Sequence, residues 1–177
     1  MGGVWDLMDL LILGCGFYAL YSAYVLKTQG KIIKTFLVFK DTDVNSCKNL
    51  QEYVIHKKLQ DSVEFRDATN DVHDYIKDCG MFVSSSDYEG LSNSMLEAMA
   101  IGLPTIVTDC PCGGSRMVIE DGVNGILVPV NDKQSLFNAM KRLIENDAEA
   151  KMISGNAKKI RETCSYENIC KEWVQLF

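Results

Sequence analysis

The sequence predicts an α/β domain with a parallel sheet, preceded by a single transmembrane helix. From Val63 onward, short β-type runs alternate with stretches of helical periodicity, the pattern of strands joined by crossover helices. The chain has 177 residues and is 47% hydrophobic, enough for a packed core. From Leu10 to Leu26, 17 residues carry no charge, at the lower limit of a bilayer span.

Residues 1–26 are expected to form the membrane helix, with Trp5, Tyr18, Tyr21 and Tyr24 as interfacial aromatics. The competing reading is a buried or interfacial helix, since Gly14 and Gly16 interrupt a short run. Lys27, Lys31, Lys34 and Lys40 follow the run and only Asp6 and Asp9 precede it, which places the C-terminal domain in the cytoplasm. A cleaved signal peptide fits poorly, because no basic segment leads the apolar run. Residues 27–49 are expected to be a linker with a possible strand formed by Ile32-Ile33 and Phe36–Phe39 and a turn at Asp41–Ser46. A helix follows over about Cys47–Lys58.

Within 50–177, strands are expected at Val63–Phe65, Met81–Ser84, Thr105–Thr108 and Ile126–Val128. Helices are expected near Asp71–Cys79, over Asn93–Ile101 and near Ser115–Glu120. Asn131 or Asp132 caps a helix running to about Asn146, and two further helical stretches follow, the last capped by Ser165. Gly122 and Gly125 read as turn chemistry before the last strand.

A net charge of −6 excludes most nucleic-acid binders, and residues 50–177 hold 13 basic against 20 acidic side chains, so no basic stripe exists to track a phosphate backbone. The seven cysteines form no paired C-x-x-C framework and read as reduced thiols. Cys110-Pro111-Cys112 invites a metal, but His56 and His73 offer no second ligand pair, so no metal is expected. His73 reads as a helix-surface residue.

The segment Ser86–Ala100 concentrates the chemistry: Glu89 and Glu97 stand eight positions apart around a glycine loop that opens a helix. Gly90 permits close backbone approach, and the free N–H groups near Ser92–Met95 suit an anion, with phosphate the natural guest. A carboxylate accepts two hydrogen bonds side by side, which suits the paired hydroxyls of a ribose at Glu97. Ser94-Met95-Leu96-Glu97 also spells a capping box, a structural role for the same glutamate. Glu89 reads either as a loop acid facing a sugar or as a solvated one. Gly113-Gly114 sits where doubly wound folds place ligands, or makes a tight turn.

This spacing resembles the E-x7-E signature of the family 4 retaining glycosyltransferases, whose GT-B architecture has two Rossmann-like halves. The resemblance runs from Leu50 to Phe177 and takes in Asp71-Val72-His73-Asp74, Gly102-Leu103-Pro104-Thr105 and Glu120-Asp121-Gly122-Val123-Asn124-Gly125. It implies part of the C-terminal, nucleotide-sugar-binding half. By the same resemblance, Glu89 contacts the donor sugar near the reacting carbon, the loop Gly90, Leu91, Ser92, Asn93 meets the pyrophosphate, and Glu97 holds the ribose hydroxyls. Other loops, with Ala68-Thr69-Asn70 among them, would read base and sugar.

Departures from the family are expected at the N-terminal side. The acceptor-binding half and the opening strand of the donor half have no counterpart in this reading, nor do the Arg and Lys that clamp the pyrophosphate in the family. Arg66, Arg116, Arg142 and Arg161 stand in no Gly-Arg-x-x-x-x-Lys setting, and Lys40-Asp41-Thr42-Asp43 replaces the Gly-x-Gly after the family's second strand. The resulting expectation is a membrane-tethered partial GT-B domain that recognises a nucleotide sugar without a cofactor, its parental reaction retaining transfer to a polysaccharide or lipid-linked glycan. A partner chain would supply the acceptor half. The alternatives are a non-catalytic interaction module and an inactive gene fragment.

Overall fold

The computed structural model describes residues 8–13, 17–29, 33–39, 44–67 and 72–175. Six strands form one sheet: β1 (Met8–Leu13), β2 (Ile33–Phe39), β3 (Val63–Asp67), β4 (Met81–Ser84), β5 (Thr105–Thr108) and β6 (Ile126–Val128). Their order is β3-β2-β1-β4-β5-β6 and every neighbouring pair is parallel. The helices are α1 (Phe17–Thr28), α2 (Val44–His56), α3 (Val72–Ile76), α4 (Asn93–Ile101), α5 (Lys133–Glu145), α6 (Asp147–Ala157), α7 (Ile160–Thr163) and α8 (Tyr166–Val174). Ser115–Met117 makes a single 3-10 turn where a longer helix was expected.

Strands of a parallel sheet covered on both faces read as largely apolar runs. In β4 and β5 every residue is buried. Side chains alternate between two cores as a pleated strand requires. Met81, Val83, Ile106, Ile126 and Val128 pack with Leu20, Leu26, Leu50, Leu136 and Met140 on one face. Phe82 and Val107 pack with Ile76, Met95, Ala98, Met99 and Ile160 on the other.

The expected spanning helix is corrected by this arrangement. The uncharged run Leu10–Leu26 divides into β1, which is hydrogen-bonded to β2 on one side and β4 on the other, and α1. Among the described residues no helix is long and apolar enough to cross a membrane. With 12 residues α1 is about 18 Å long, well short of a bilayer core of about 30 Å. The composition was misleading because a sheet's central strand followed by a covered helix is as apolar as a short span. Leu20 and Leu26 are fully buried in the domain core. Two of the supposed interfacial aromatics meet cations instead: Lys57 Nζ lies 4.9 Å from the Tyr24 ring centre and Lys133 Nζ 5.9 Å from that of Tyr21. Trp5 lies outside the described residues.

Two further expectations change with it. An opening strand is present as β1, and Leu37–Phe39 lies in β2, paired with β1 and β3, so the sheet continues across the expected boundary at residue 49. The helix α2 starts at Val44, three residues before the expected Cys47. Asp41–Asp43 and Ala68–Asn70 lie outside the described residues. Asp132 caps α5 and Ser165 caps α8, both as expected.

Candidate functional site

In an open parallel sheet, ligands collect beyond the carboxyl ends of the strands where the strand order reverses. Here the reversal falls between β1 and β4. β4 ends at Ser84, and the chain leaves it through Ser85–Ser92 into α4, so the expected site segment occupies that position. Apolar burial fixes α4 there: Met95, Ala98 and Met99 are fully buried against the sheet. Fully burying each methionine stabilises by roughly 1.5–3 kcal/mol. The far end of α4 is closed by Gly102 in the left-handed region at φ 94°, whose N–H reaches Ala98 and Met99 carbonyls. Ser154 Oγ donates to the Gly102 carbonyl at 2.6 Å and Arg161 Nε to that of Ala100, tying the helix to α6 and α7.

The near end is left open. Ser92 is the N-cap of α4 in extended conformation, but no side chain caps the helix. The first N–H groups of the helix, from Asn93 to Met95, therefore remain available to an anion and carry the positive end of the helix dipole. Ser92 and Ser94 hydroxyls sit 3.0 Å apart beside them. The capping-box reading of Glu97 falls, because Ser94 is the second residue inside the helix rather than its cap. Glu97 is exposed, one turn beyond Asn93 on the same side of α4. Glu89 is half-buried in the preceding loop, while Gly90 and Leu91 are exposed. Structure thus brings Glu89, Gly90, Leu91, Ser92, Asn93 and Glu97 to one stretch of loop and helix at the switch point.

The loop is held from the side by the chain leaving β5. The Thr108 hydroxyl and the Cys110 thiol both donate to the Ser86 carbonyl, the thiol at 3.2 Å, and the Cys112 thiol donates to the Glu89 carbonyl at 3.0 Å. Gly113 turns the chain at φ 76°. Gly114 presses so closely on the loop that a Cβ there would lie 2.3 Å from the Gly90 carbonyl oxygen. Of the two readings of Gly113-Gly114, the turn is met at Gly113, while Gly114 packs against the Gly90 backbone. Sequence reasoning missed Thr108, Cys110 and Cys112, which come from the end of β5 and the turn after it and meet the Ser86–Gly90 loop only in the folded chain.

Arg116 forks onto the Asp109 carboxylate beyond β5, and that hydrogen-bonded pair holds the guanidinium above the ordinary arginine range. Among the described residues no group of three His, Cys, Asp or Glu comes together in a way that could hold a metal. Cys79, Cys110, Cys112, Cys164 and Cys170 are free thiols. His73 is 68% exposed beside Asp74, on the helix surface.

A parallel sheet in this order, with helices joining its strands, defines a Rossmann-like domain. Residues 26–146 match the family described as Glycosyl transferases group 1, and the chain belongs to that family. The match begins upstream of Leu50, where the resemblance was expected to start. A glycosyltransferase of Haemophilus influenzae with no assigned reaction is 28% identical over 156 residues, which cover 85% of this chain and 43% of its own length. The poly(ribitol-phosphate) alpha-N-acetylglucosaminyltransferase of Staphylococcus aureus is 32% identical over 122 residues, 68% of this chain and 24% of the enzyme. The chain thus spans less than half the length of these relatives.

Solved structures agree on the fold. Anabaena HepE in complex with UDP superposes with a TM-score of 0.83 at 19% identity, over 97% of this chain and 48% of that one. The C-terminal domain of a group 1 glycosyl transferase, LpcC of Francisella tularensis, superposes with a TM-score of 0.76 at 22% identity, over 89% of this chain and 85% of that domain.

Proposed function

We propose that this chain is the donor-binding half of a retaining, family 4 type glycosyltransferase that takes a nucleoside diphosphate sugar. The observation that carries the reading is the open N-terminus of α4, flanked by Glu89 and Glu97, at the sheet's switch point. The diphosphate lies against the N–H groups from Gly90 to Asn93, where the helix dipole and the loop amides meet its charge. Glu97 accepts from the two ribose hydroxyls, and Glu89 faces the sugar near its anomeric carbon. In transfer, the bond from that carbon to the diphosphate oxygen breaks as the bond to an acceptor hydroxyl oxygen forms, and the hydroxyl proton passes to the departing diphosphate. Charge accumulates on the leaving diphosphate, where preorganised donors act most strongly and no bound metal is required.

The acceptor is a polysaccharide or lipid-linked glycan, a reading supported by the poly(ribitol-phosphate) and diphospho-undecaprenol specificities in the names of two relatives. Its binding half lies on a second Rossmann-like unit outside the sheet described above. The surface of α8 that receives this unit carries Tyr166, Ile169 and Trp173, exposed by 80%, 43% and 61%. Leu176 and Phe177 lie outside the described residues.

Calorimetric titration of the chain with a panel of nucleoside diphosphate sugars tests the proposal, with uridine donors first because UDP occupies the HepE structure. At least one nucleotide sugar should bind more tightly than its bare nucleotide. Indifference to every member of the panel at millimolar concentration would remove the donor-site reading and favour a non-catalytic interaction module.

A further inference from the structure

We propose that Thr108, Cys110 and Cys112 are positioning residues that hold the Glu89 loop in its donor-facing shape, with Cys112 acting on Glu89 most directly. This deepens the donor-site reading and rests on it. Past β5 the chain runs beside the Ser86–Gly90 loop, and alternate residues reach across to it. The hydroxyl of Thr108 and the thiol of Cys110 share the two lone pairs of the Ser86 carbonyl. Two residues further on, the Cys112 thiol donates to the Glu89 carbonyl at 3.0 Å. Gly114, next in the alternation, abuts the backbone of Gly90.

These contacts fasten both ends of the segment Ser86–Gly90. Between them, the side chains of Asp87, Tyr88 and Glu89 make no hydrogen bond to another described residue; apart from the Ser86 hydroxyl, 3.4 Å from that of Ser84, the segment's hydrogen bonds come from the β5 side. A carboxylate that meets a sugar must be held to within a fraction of an ångström to act, and a loop supplies that only if its backbone is anchored. Cys110 is 2% exposed, so its bond is shielded from water. Cys112 is exposed, and a change of its thiol disturbs little packing.

The test compares Cys112→Ala and Cys112→Ser in the full chain, by titration with a nucleotide sugar and with the bare nucleotide, and by hydrogen exchange of residues 86–92. Removing one hydrogen bond should weaken nucleotide-sugar binding by about threefold to tenfold. Affinity for the bare nucleotide and the melting temperature should stay put, and exchange in the loop should quicken. Serine, which restores an O–H donor, should bring sugar binding and loop protection back toward the wild type. Alanine and serine variants that both match the wild type in sugar binding and exchange overturn the proposal while leaving the donor site standing. A wild type that binds no nucleotide sugar overturns the donor reading and this inference with it.

Discussion

Glu97 and Glu89 occupy different backbone settings, one on a helix turn and one on a tethered loop, and that difference predicts separable effects. Glu97→Gln should weaken binding of the bare nucleotide and Glu89→Gln should act only when a sugar is attached, each by about 1.5–3 kcal/mol, the worth of a hydrogen bond to a charged group. Titration of both variants with nucleotide and nucleotide sugar checks this, and equal losses on both ligands would contradict the assignment. Gly114→Ala should be more damaging than its mild appearance suggests. The backbone at Gly114 is ordinary right-handed helix, φ −57°, so the cost comes from the collision with Gly90 rather than from strain. It should destabilise by about 1–3 kcal/mol in thermal or denaturant unfolding, or shift the Gly90 loop and loosen ligand binding. The two glutamates and the glycine loop were legible in the sequence because their spacing is local. The close approach of Gly114 to Gly90, and the thiol donors beside it, depend on two loops meeting across the sheet, which no spacing encodes.

At the level of elements, α4 is a stiff mount: buried methionines on one side, a glycine cap behind, and side chains from α6 and α7 on its last carbonyls. The strands β4, β5 and β6 were readable from short apolar runs bounded by turn residues, and α5 and α8 from their caps. The Ser115–Met117 turn was not, because a helix signal of a few residues carries too little periodicity to fix its length. Asn146 caps helix α6, its side chain accepting from the Glu149 N–H at 3.2 Å, and Asn146→Ala should cost about 1 kcal/mol in thermal unfolding. Glu149 in turn pairs with Arg142 on α5, and that hydrogen bond, aided by the charge and by Asn146, holds its carboxyl below the ordinary glutamate value of 4.5. A depressed folded-state pKa contributes stability above the unfolded value and loses it as pH falls through the folded value. The gap in melting temperature between wild type and Glu149→Gln should therefore be widest above pH 4.5 and close on further acidification. A gap that widens toward low pH would contradict the pairing.

For the whole molecule, the decisive fact is that the sheet's centre comes from the N-terminal apolar run. A run of 17 uncharged residues is read most simply as a span, and only the pairing of β1 with β2 and β4 shows otherwise. A chain begun at Leu50 would lose β1 and β2, leaving β3 separated from β4, so it should fail to give a cooperative unfolding transition by circular dichroism. Cooperative folding of that fragment would show that β1 is dispensable. The single Rossmann-like unit also predicts a limit on activity. Holding an acceptor hydroxyl in place supplies roughly 7–11 kcal/mol of the barrier, so these residues alone should bind donor far better than they transfer it. Robust turnover by the 177-residue chain, abolished by Glu89→Ala, would contradict that limit. The central claim is the placement of the donor, and a crystal structure of the chain with a nucleoside diphosphate sugar tests it most directly. The account predicts the diphosphate against the N–H groups of Gly90 to Asn93, the ribose on Glu97 and the sugar beside Glu89; a nucleotide seated away from the start of α4, with Glu97 free, would contradict it.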